Sequence, residues 1–375
     1  MPTIKTINPI GPLVHRRRIG YWLLVGFLLA YVMFCAIIFL QWVNPSLTQH
    51  SNLRIAADSG TYMYMANVLR EGRPTPWVYE ALSAFPNTLW MPVFLAFVIP
   101  STIGIALVNL VVFLLSLDLF RRVSRINLGL FVALLLLNPT TTISILSVNK
   151  EIIDLFVVAL FCFALVRKNK WLLFVALAIA FLNRYEVCVA LMAVLYAQSK
   201  LNPFRNRRIT GLVMLALALT VALPSVAGHS LATRFVNAEN GNLVRMLDIL
   251  EMHYLYIVAV VPKIIENMFG QLLDIRTWGS LSASDLANSY ILVLNNFASF
   301  AVVVLLMLKG ELKVRNDWFY FASIAAVLMA TTLVNQPRYF YYCFALLCFQ
   351  AAQIPTAPRH SLLALMYGNR NPLHA

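Results

Sequence analysis

Long apolar blocks separated by polar stretches run through the chain from residue 20 to residue 354. The longest blocks hold about 17–23 residues, the length a helix needs to cross the hydrocarbon of a bilayer. The short alternating segments of a membrane β-barrel are not seen. The pattern predicts an all-α, polytopic membrane helix bundle of about ten transmembrane helices, at 20–43, 101–120, 127–145, 152–166, 171–182, 187–198, 211–227, 290–308, 318–334 and 340–354. Two polar stretches are too long to be turns. Residues 44–87 form a first external loop with amphipathic helices around 62–69 and 78–85, and residues 228–289 form a second. The apolar stretch 88–120 is interrupted at Pro100, so its first part is expected to lie at or dip into the interface. No repeat or low-complexity tract divides residues 1–375, which are read as a single integral membrane domain.

Charge orients this plan. Of the 29 Lys and Arg, nineteen fall in stretches assigned to the inside and ten outside, and the inside loops are short, where the positive-inside bias is most reliable. Both termini are therefore expected in the cytoplasm, and the two long loops on the external face. His15-Arg16-Arg17-Arg18 before the first span reads as the flank of a signal anchor.

Composition agrees. The 375 residues are 61% hydrophobic and 12% charged, with mean hydropathy +0.76, against about 25% charged in a soluble domain. The net charge of +14 follows the inside loops, which makes it a topology signal with affinity for anionic head groups, and nucleic acid is not an expected partner. The five cysteines show no metal-ligand spacing. His229 and His253 are too scattered for a metal site, and no metal or other cofactor is assigned.

The candidate chemistry lies on the external side. Asp58, in Asp58-Ser59-Gly60-Thr61-Tyr62, stands at the start of a predicted helix just past the first span. Its carboxylate suits a base acting on a hydroxyl at the membrane surface, and equally a helix cap. Tyr62 and Ala66 follow at four-residue steps on the same helical face. Lys150-Glu151, Arg184 with Glu186, and Arg338-Tyr339 stand where apolar blocks begin or end. Ionised groups there tend to face a cavity or each other. A cavity ringed by Lys150, Arg184 and Arg338 would hold a phosphate or pyrophosphate, with Glu151 or Glu186 orienting the cations. Each also has a plainer reading: a local Lys150–Glu151 pair, Arg184 reaching to the head groups, Arg338 anchored in an aromatic belt with Tyr339. Asp154, one turn into its helix, is expected to pair within the bundle, with Lys150 four residues earlier as a candidate partner, and a substrate or proton role is the alternative. Arg234, Arg245, Lys263 and Arg276 in the second loop read as a solvated surface.

These residues resemble the GT-C superfamily of polyprenyl-phosphate-sugar-dependent membrane glycosyltransferases. The likeness rests on Asp58-Ser59-Gly60-Thr61-Tyr62, on Asn138-Pro139 with Asn149-Lys150-Glu151 and Asn183-Arg184, and on Pro337-Arg338-Tyr339, within a similar plan over about residues 20–350. It implies a glycosyltransferase of the cell envelope, in a bacterial inner membrane, taking a sugar from a lipid-linked donor to a glycan, lipid or protein acceptor. It implies Asp58 as catalytic base, and Tyr62, Lys150, Glu151, Arg184, Glu186, Arg338 and Tyr339 as substrate-binding residues. The first loop lacks the Asp-x-Asp or paired acids of the family, and the chain lacks a large soluble domain after its spans. Two other readings share the plan: an O-antigen or exopolysaccharide polymerase on lipid-pyrophosphate-linked units, in which Arg234 and Arg245 would matter more, and a transporter or flippase.

Overall fold

The computed structural model describes residues 57–83, 90–235, 246–247, 249–250, 253–269, 286–331 and 337–354. The expected first span at 20–43, most of the second external loop and the C-terminal tail lie outside them. The described residues form helices and no named strand. In chain order these are α1 (Ala57–Arg70), α2 (Pro76–Ser83), α3 (Trp90–Val98), α4 (Thr102–Val123), α5 (Leu128–Leu137), α6 (Pro139–Leu146), α7 (Glu151–Arg167), α8 (Lys170–Asn183), α9 (Tyr185–Gln198), α10 (Arg208–Phe235), α11 (Tyr256–Met268), α12 (Leu286–Leu308), α13 (Asp317–Met329), a 3₁₀ turn (Pro337–Phe340) and α14 (Tyr341–Ala352).

Short polar residues set where these helices start. Ser101, Asn127, Asn138, Asn169 and Asn316 precede α4, α5, α6, α8 and α13, and each side chain accepts a bond from a backbone N–H of the first turn. Each such cap is worth roughly 1 kcal/mol. The stops are equally local. Gly72 and Gly310 adopt positive φ just past α1 and α12, where N–H groups return to Val68 and Leu306 carbonyls in the manner of a Schellman ending.

The helices pack antiparallel, so their turns sort to two ends of the bundle. At one end the α4–α5 turn pairs with the end of α14, through Asn127 N–H to Ala352 O at 2.8 Å and Ile354 N–H to Arg125 O at 3.0 Å. The α12–α13 connection joins them: Gln350 donates to Glu311 O and Lys309 to Ala351 O. Arg208 at the start of α10 pairs with Asp317 at the start of α13. The Lys and Arg of residues 121–125, 167–170, 200–208 and 309–315 belong to this basic end. The opposite end carries α1–α3, the α8–α9 junction and the 3₁₀ turn. Helix α14 is buried along its whole length. Its Phe349 ring meets Phe120 of α4 at 4.8 Å, Phe131 of α5 at 5.9 Å and Trp318 of α13 at 5.2 Å between centroids, aromatic pairs worth about 0.5–1.5 kcal/mol each.

Around this centre the outer faces are apolar. Leu107 and Leu114 of α4, Phe174 of α8, Met192 of α9, Val213 of α10 and Phe300 of α12 are all exposed. Among the described residues one helix, α4, is by itself long and apolar enough to cross a membrane, and α5 with α6 makes a second if the pair is one span. The expected count of about ten therefore exceeds what these lengths show: α8, α9, α13 and the apolar part of α10 run to 10–17 residues.

The expected straight span at 127–145 is corrected. It breaks at Asn138-Pro139, and α5 and α6 meet at 85°. Proline has no N–H to continue the ladder and its ring collides with the preceding turn, while the Asn138 side chain caps the new helix through Thr140 N–H. The carbonyls at the far end of α6 lie inside the protein, and Asn109 of α4 serves them. Its amide nitrogen reaches Ser144 O at 3.1 Å, Ile145 O at 3.3 Å and Ser147 O at 2.8 Å. Two N–H groups are thus shared among three acceptors. Asn109→Leu, close in volume but without donors, is expected to cost about 1–3 kcal/mol and to lower the melting temperature of the purified protein in detergent. An unchanged melting temperature would show that the broken helix does not depend on Asn109.

Candidate functional site at the end opposite the basic turns

Residues from four separate parts of the chain meet at this end. Helix α1, from the first loop, docks through Ser59, whose buried hydroxyl accepts a bond from Val148 N–H at 3.1 Å. Three residues further along α1, the ring of Tyr62 lies 5.9 Å from Lys150 Nζ, a cation–π distance. Asp58 is the residue before Ser59, in the first turn of α1; its side chain lies outside the described residues, so its assignment as base rests on the sequence. The docking nevertheless brings the backbone of the Asp58 segment to the Val148–Lys150 segment, 89 residues on.

Lys150 is partly buried and leads into α7, whose first residue is Glu151. Glu151 and Asp154 both lie in the first turn of α7, three apart and so on one face. Arg184, between α8 and α9, faces them. Its guanidinium stands 3.1 Å from Glu151 Oε1 and 3.5 Å from Asp154 Oδ2. All three are buried, at 4%, 2% and 1% exposure. Asn183 completes the set, its amide donating to Asp154 Oδ1 at 2.8 Å and to Lys150 O at 3.0 Å. Asp154 is thus paired within the bundle, held by Arg184 and Asn183, and the charge of Lys150 also acts on it. An arginine away from water needs the nearest carboxylates.

On its far side Arg184 stacks on Tyr339, 4.7 Å from ring centroid to guanidinium carbon, and Arg338 approaches the same ring at 5.5 Å. The 3₁₀ turn is thus joined to the α8–α9 junction through one aromatic ring. Glu186, in the first turn of α9, is near enough for its charge to act on Arg184 and Tyr342, and its buried Oε2 accepts no hydrogen bond. Tyr62, Lys150, Glu151, Arg184, Glu186, Arg338 and Tyr339 therefore fall at one end of the fold. Sequence reasoning left out Ser59, Asn109 and Asn183. Asn183 directly precedes Arg184 in a motif that was in view, but nothing in its local pattern marks it as a ligand of α7.

The arrangement changes what each group can do. Three cations (Lys150, Arg184, Arg338) stand with three carboxylates (Glu151, Asp154, Glu186), and formal charges cancel. Arg184 faces two carboxylates and is closed to solvent. Lys150 and Arg338 are both partly buried. Among the described residues no group of three or more His, Cys, Asp or Glu could hold a metal ion.

No family model matches the chain, and no curated protein or solved structure matches it significantly.

The Glu151–Arg184–Asp154 contact makes a thermodynamic prediction. Arg184→Met strands two buried carboxylates and is expected to cost about 3–5 kcal/mol, whereas adding Glu151→Gln and Asp154→Asn to it should recover much of the loss. Thermal melts in detergent distinguish the cases. A triple variant less stable than Arg184→Met alone would mean that the three side chains do not act as one unit.

Proposed function

We propose that the protein is an integral membrane glycosyltransferase that takes a sugar from a polyprenyl-phosphate-linked donor to an acceptor hydroxyl at the external face. One observation carries the reading: the first-loop helix that holds Asp58 is docked against the segment that holds Lys150, so the sequence's best candidate base and a partly buried cation belong to one end of the fold. The apolar outer faces of α4, α8, α9, α10 and α12 support a bundle surrounded by lipid, since soluble monomers rarely expose contiguous apolar patches beyond a few hundred Å². On this reading the short helices are membrane helices too, and the basic turns face the cytoplasm.

The chemistry needs few groups. Asp58 takes the proton of the acceptor hydroxyl as its oxygen attacks the anomeric carbon. The bond to the phosphate oxygen breaks, and the phosphate leaves with the electron pair. Lys150 and Arg338 hold the phosphate and stabilise its growing charge. Phosphate is already a good leaving group, so no acid is required on that side. A single displacement inverts the anomeric carbon. Arg184 acts at one remove: neutralised by Glu151 and Asp154, it positions Lys150 through the start of α7 and Arg338 through Tyr339.

The test uses membranes containing the full chain and a panel of radiolabelled polyprenyl-phosphate sugars, with membrane insertion of each variant confirmed by carbonate extraction. Asp58→Asn is expected to lower transfer about 10²–10⁴-fold, and Arg338→Ala to raise the KM for the donor. Full transfer by Asp58→Asn would remove the base. If transfer then required Arg234 and Arg245 and a pyrophosphate-linked donor, the polymerase reading would replace this one. The broken α5–α6 pair favours a second reading, a transporter, because discontinuous helices are common at transporter binding sites. Movement of a labelled lipid-linked sugar across the bilayer without any new glycosidic bond would establish it.

A further inference from the structure

Helices α8 and α9 form a hairpin that is short for a membrane. Each holds 14 residues, about 21 Å of helix against a hydrocarbon core of about 30 Å. Its limits are sharp at both ends. Lys168, Lys170 and Lys200 stand exposed at the basic end, and Arg184 is both the residue that ends α8 and the residue that starts α9. Between those limits residues 171–182 and 187–197 are apolar. Their outer side is bare: Phe174 is 64% exposed, and Phe181, Leu182, Val189 and Met192 are exposed too. Other helices are longer. α4 holds 22 residues and α12 holds 23, about 33 Å or more, so these fit a bilayer of ordinary thickness and the hairpin does not. An apolar outer face recurs on α11, where Val258 and Val261 are exposed while Lys263 and Glu266 are buried, the reverse of the solvated surface expected for Lys263.

A short membrane helix is matched to its bilayer by thinning of the lipid, by flanking side chains that reach out to the head groups, or by association. The tip of this hairpin does not reach outward. Its one arginine, Arg184, is turned inward onto Glu151 and Asp154. Asn183 is buried, and the ring of Tyr339 lies against the guanidinium. Helix α3, which packs against α8, adds exposed Phe94 and Phe97 to the surface. We infer that the α8–α9 tip is submerged in the leaflet opposite the basic turns, its outer face against acyl chains about 9 Å inside the hydrocarbon. The inference rests on the membrane reading proposed above for the presence of lipid, and takes its depth from the helix lengths. The depth is counted from the exposed lysines, which hold the basic end at the head groups, and tilt of the hairpin only increases it. Submersion gives the charge cluster a reason. An ionised arginine at such depth is costly and seeks partners inside the bundle, and two carboxylates of α7 supply them. Asn183 also binds Lys150 O at 3.0 Å, so the start of α7 lies at the same level. In the proposed transferase the phosphate of the donor is then drawn below the surrounding head groups to meet Lys150.

The test is an EPR depth measurement on the full chain in phosphatidylcholine nanodiscs. Nitroxides are attached at Lys170→Cys, Phe174→Cys and Tyr185→Cys, one at a time, after the five native cysteines are replaced by Ala, and the melting temperature shows that each variant is folded. Collisions with oxygen report hydrocarbon, and collisions with nickel-EDDA report water. The label at Tyr185 is expected to be open to oxygen and closed to nickel, at a depth of about 9 Å, with Phe174 in hydrocarbon and Lys170 in water. A nickel-accessible Tyr185 with Phe174 in hydrocarbon would overturn the inference and leave the membrane reading standing, because the bilayer would then thin to meet the hairpin. Nickel at both Phe174 and Tyr185 would remove the membrane reading as well. Exclusion of both reagents from both positions would mean that protein covers the hairpin, and would also overturn the inference. If the cysteine-free chain does not fold, photoreactive lipids around the wild-type protein decide. Adducts at residues 181–185 from a mid-chain diazirine support the submerged tip; adducts there from a head-group diazirine alone, or none, overturn it.

Discussion

Arg184 buried between Glu151 and Asp154 is the contact on which the end of this bundle opposite the basic turns depends. An ionised arginine out of water is tolerable only with its charge met. Two carboxylates in the first turn of α7 meet that demand, and Asn183 fixes one of them. The contact is more than a local pair because of what else touches its members. Asn183 also binds the Lys150 carbonyl, so the start of α7 is set by the end of α8. Tyr339 lies against Arg184, so the 3₁₀ turn before α14 is set by the same guanidinium. Three chain segments far apart in sequence thus share one buried charge.

That constraint also explains how a site can form where most residues are apolar. The core around α14 is hydrophobic and aromatic, and it specifies which helices touch without specifying what happens at their ends. The polar contacts do the latter. At the basic end they are backbone pairings and single ion pairs, such as Arg208 with Asp317. At the opposite end they are a connected set, with Asn109 satisfying the carbonyls at the end of α6 and Ser59 receiving the N–H of Val148. A broken helix, a docked loop helix and a buried charge cluster then lie together. Such features are expensive, and they persist where the surrounding packing holds them in place.

Cancellation of charge divides labour within the cluster. A guanidinium already engaged by two carboxylates has little attraction left for a phosphate, however well its planar fork would suit one. The partly buried Lys150 and Arg338 lie at the edges of the same set, each against an aromatic ring, Tyr62 and Tyr339. Those rings help fix where the cations sit.

Much of the helical plan was legible along the chain because its signals are local. Pro100 and Pro139 break helices wherever they stand, Asn and Ser cap the residues directly after them, and runs of Leu, Val and Phe announce apolar faces. Arginine and lysine between the runs mark one end of the bundle for the same reason. The resemblance motifs likewise gathered Lys150, Arg184 and Arg338 because each stands at the end of an apolar block, and block ends share a side of an antiparallel bundle. What the residues could not disclose was pairing. Asp154 is four residues from Lys150 and thirty from Arg184, and local spacing favours the lysine; burial favours the arginine. Asn138-Pro139 reads as a turn or as a kink until Asn109 supplies donors to the far side of the break. Lys263 in an amphipathic stretch reads as facing water until the fold turns its helix over. Composition and periodicity decide which segments are helices and which end they reach, because these depend on neighbours in the chain. Which charge is neutralised, and which stays available for chemistry, depends on groups brought together only by packing, and tertiary structure alone decides that.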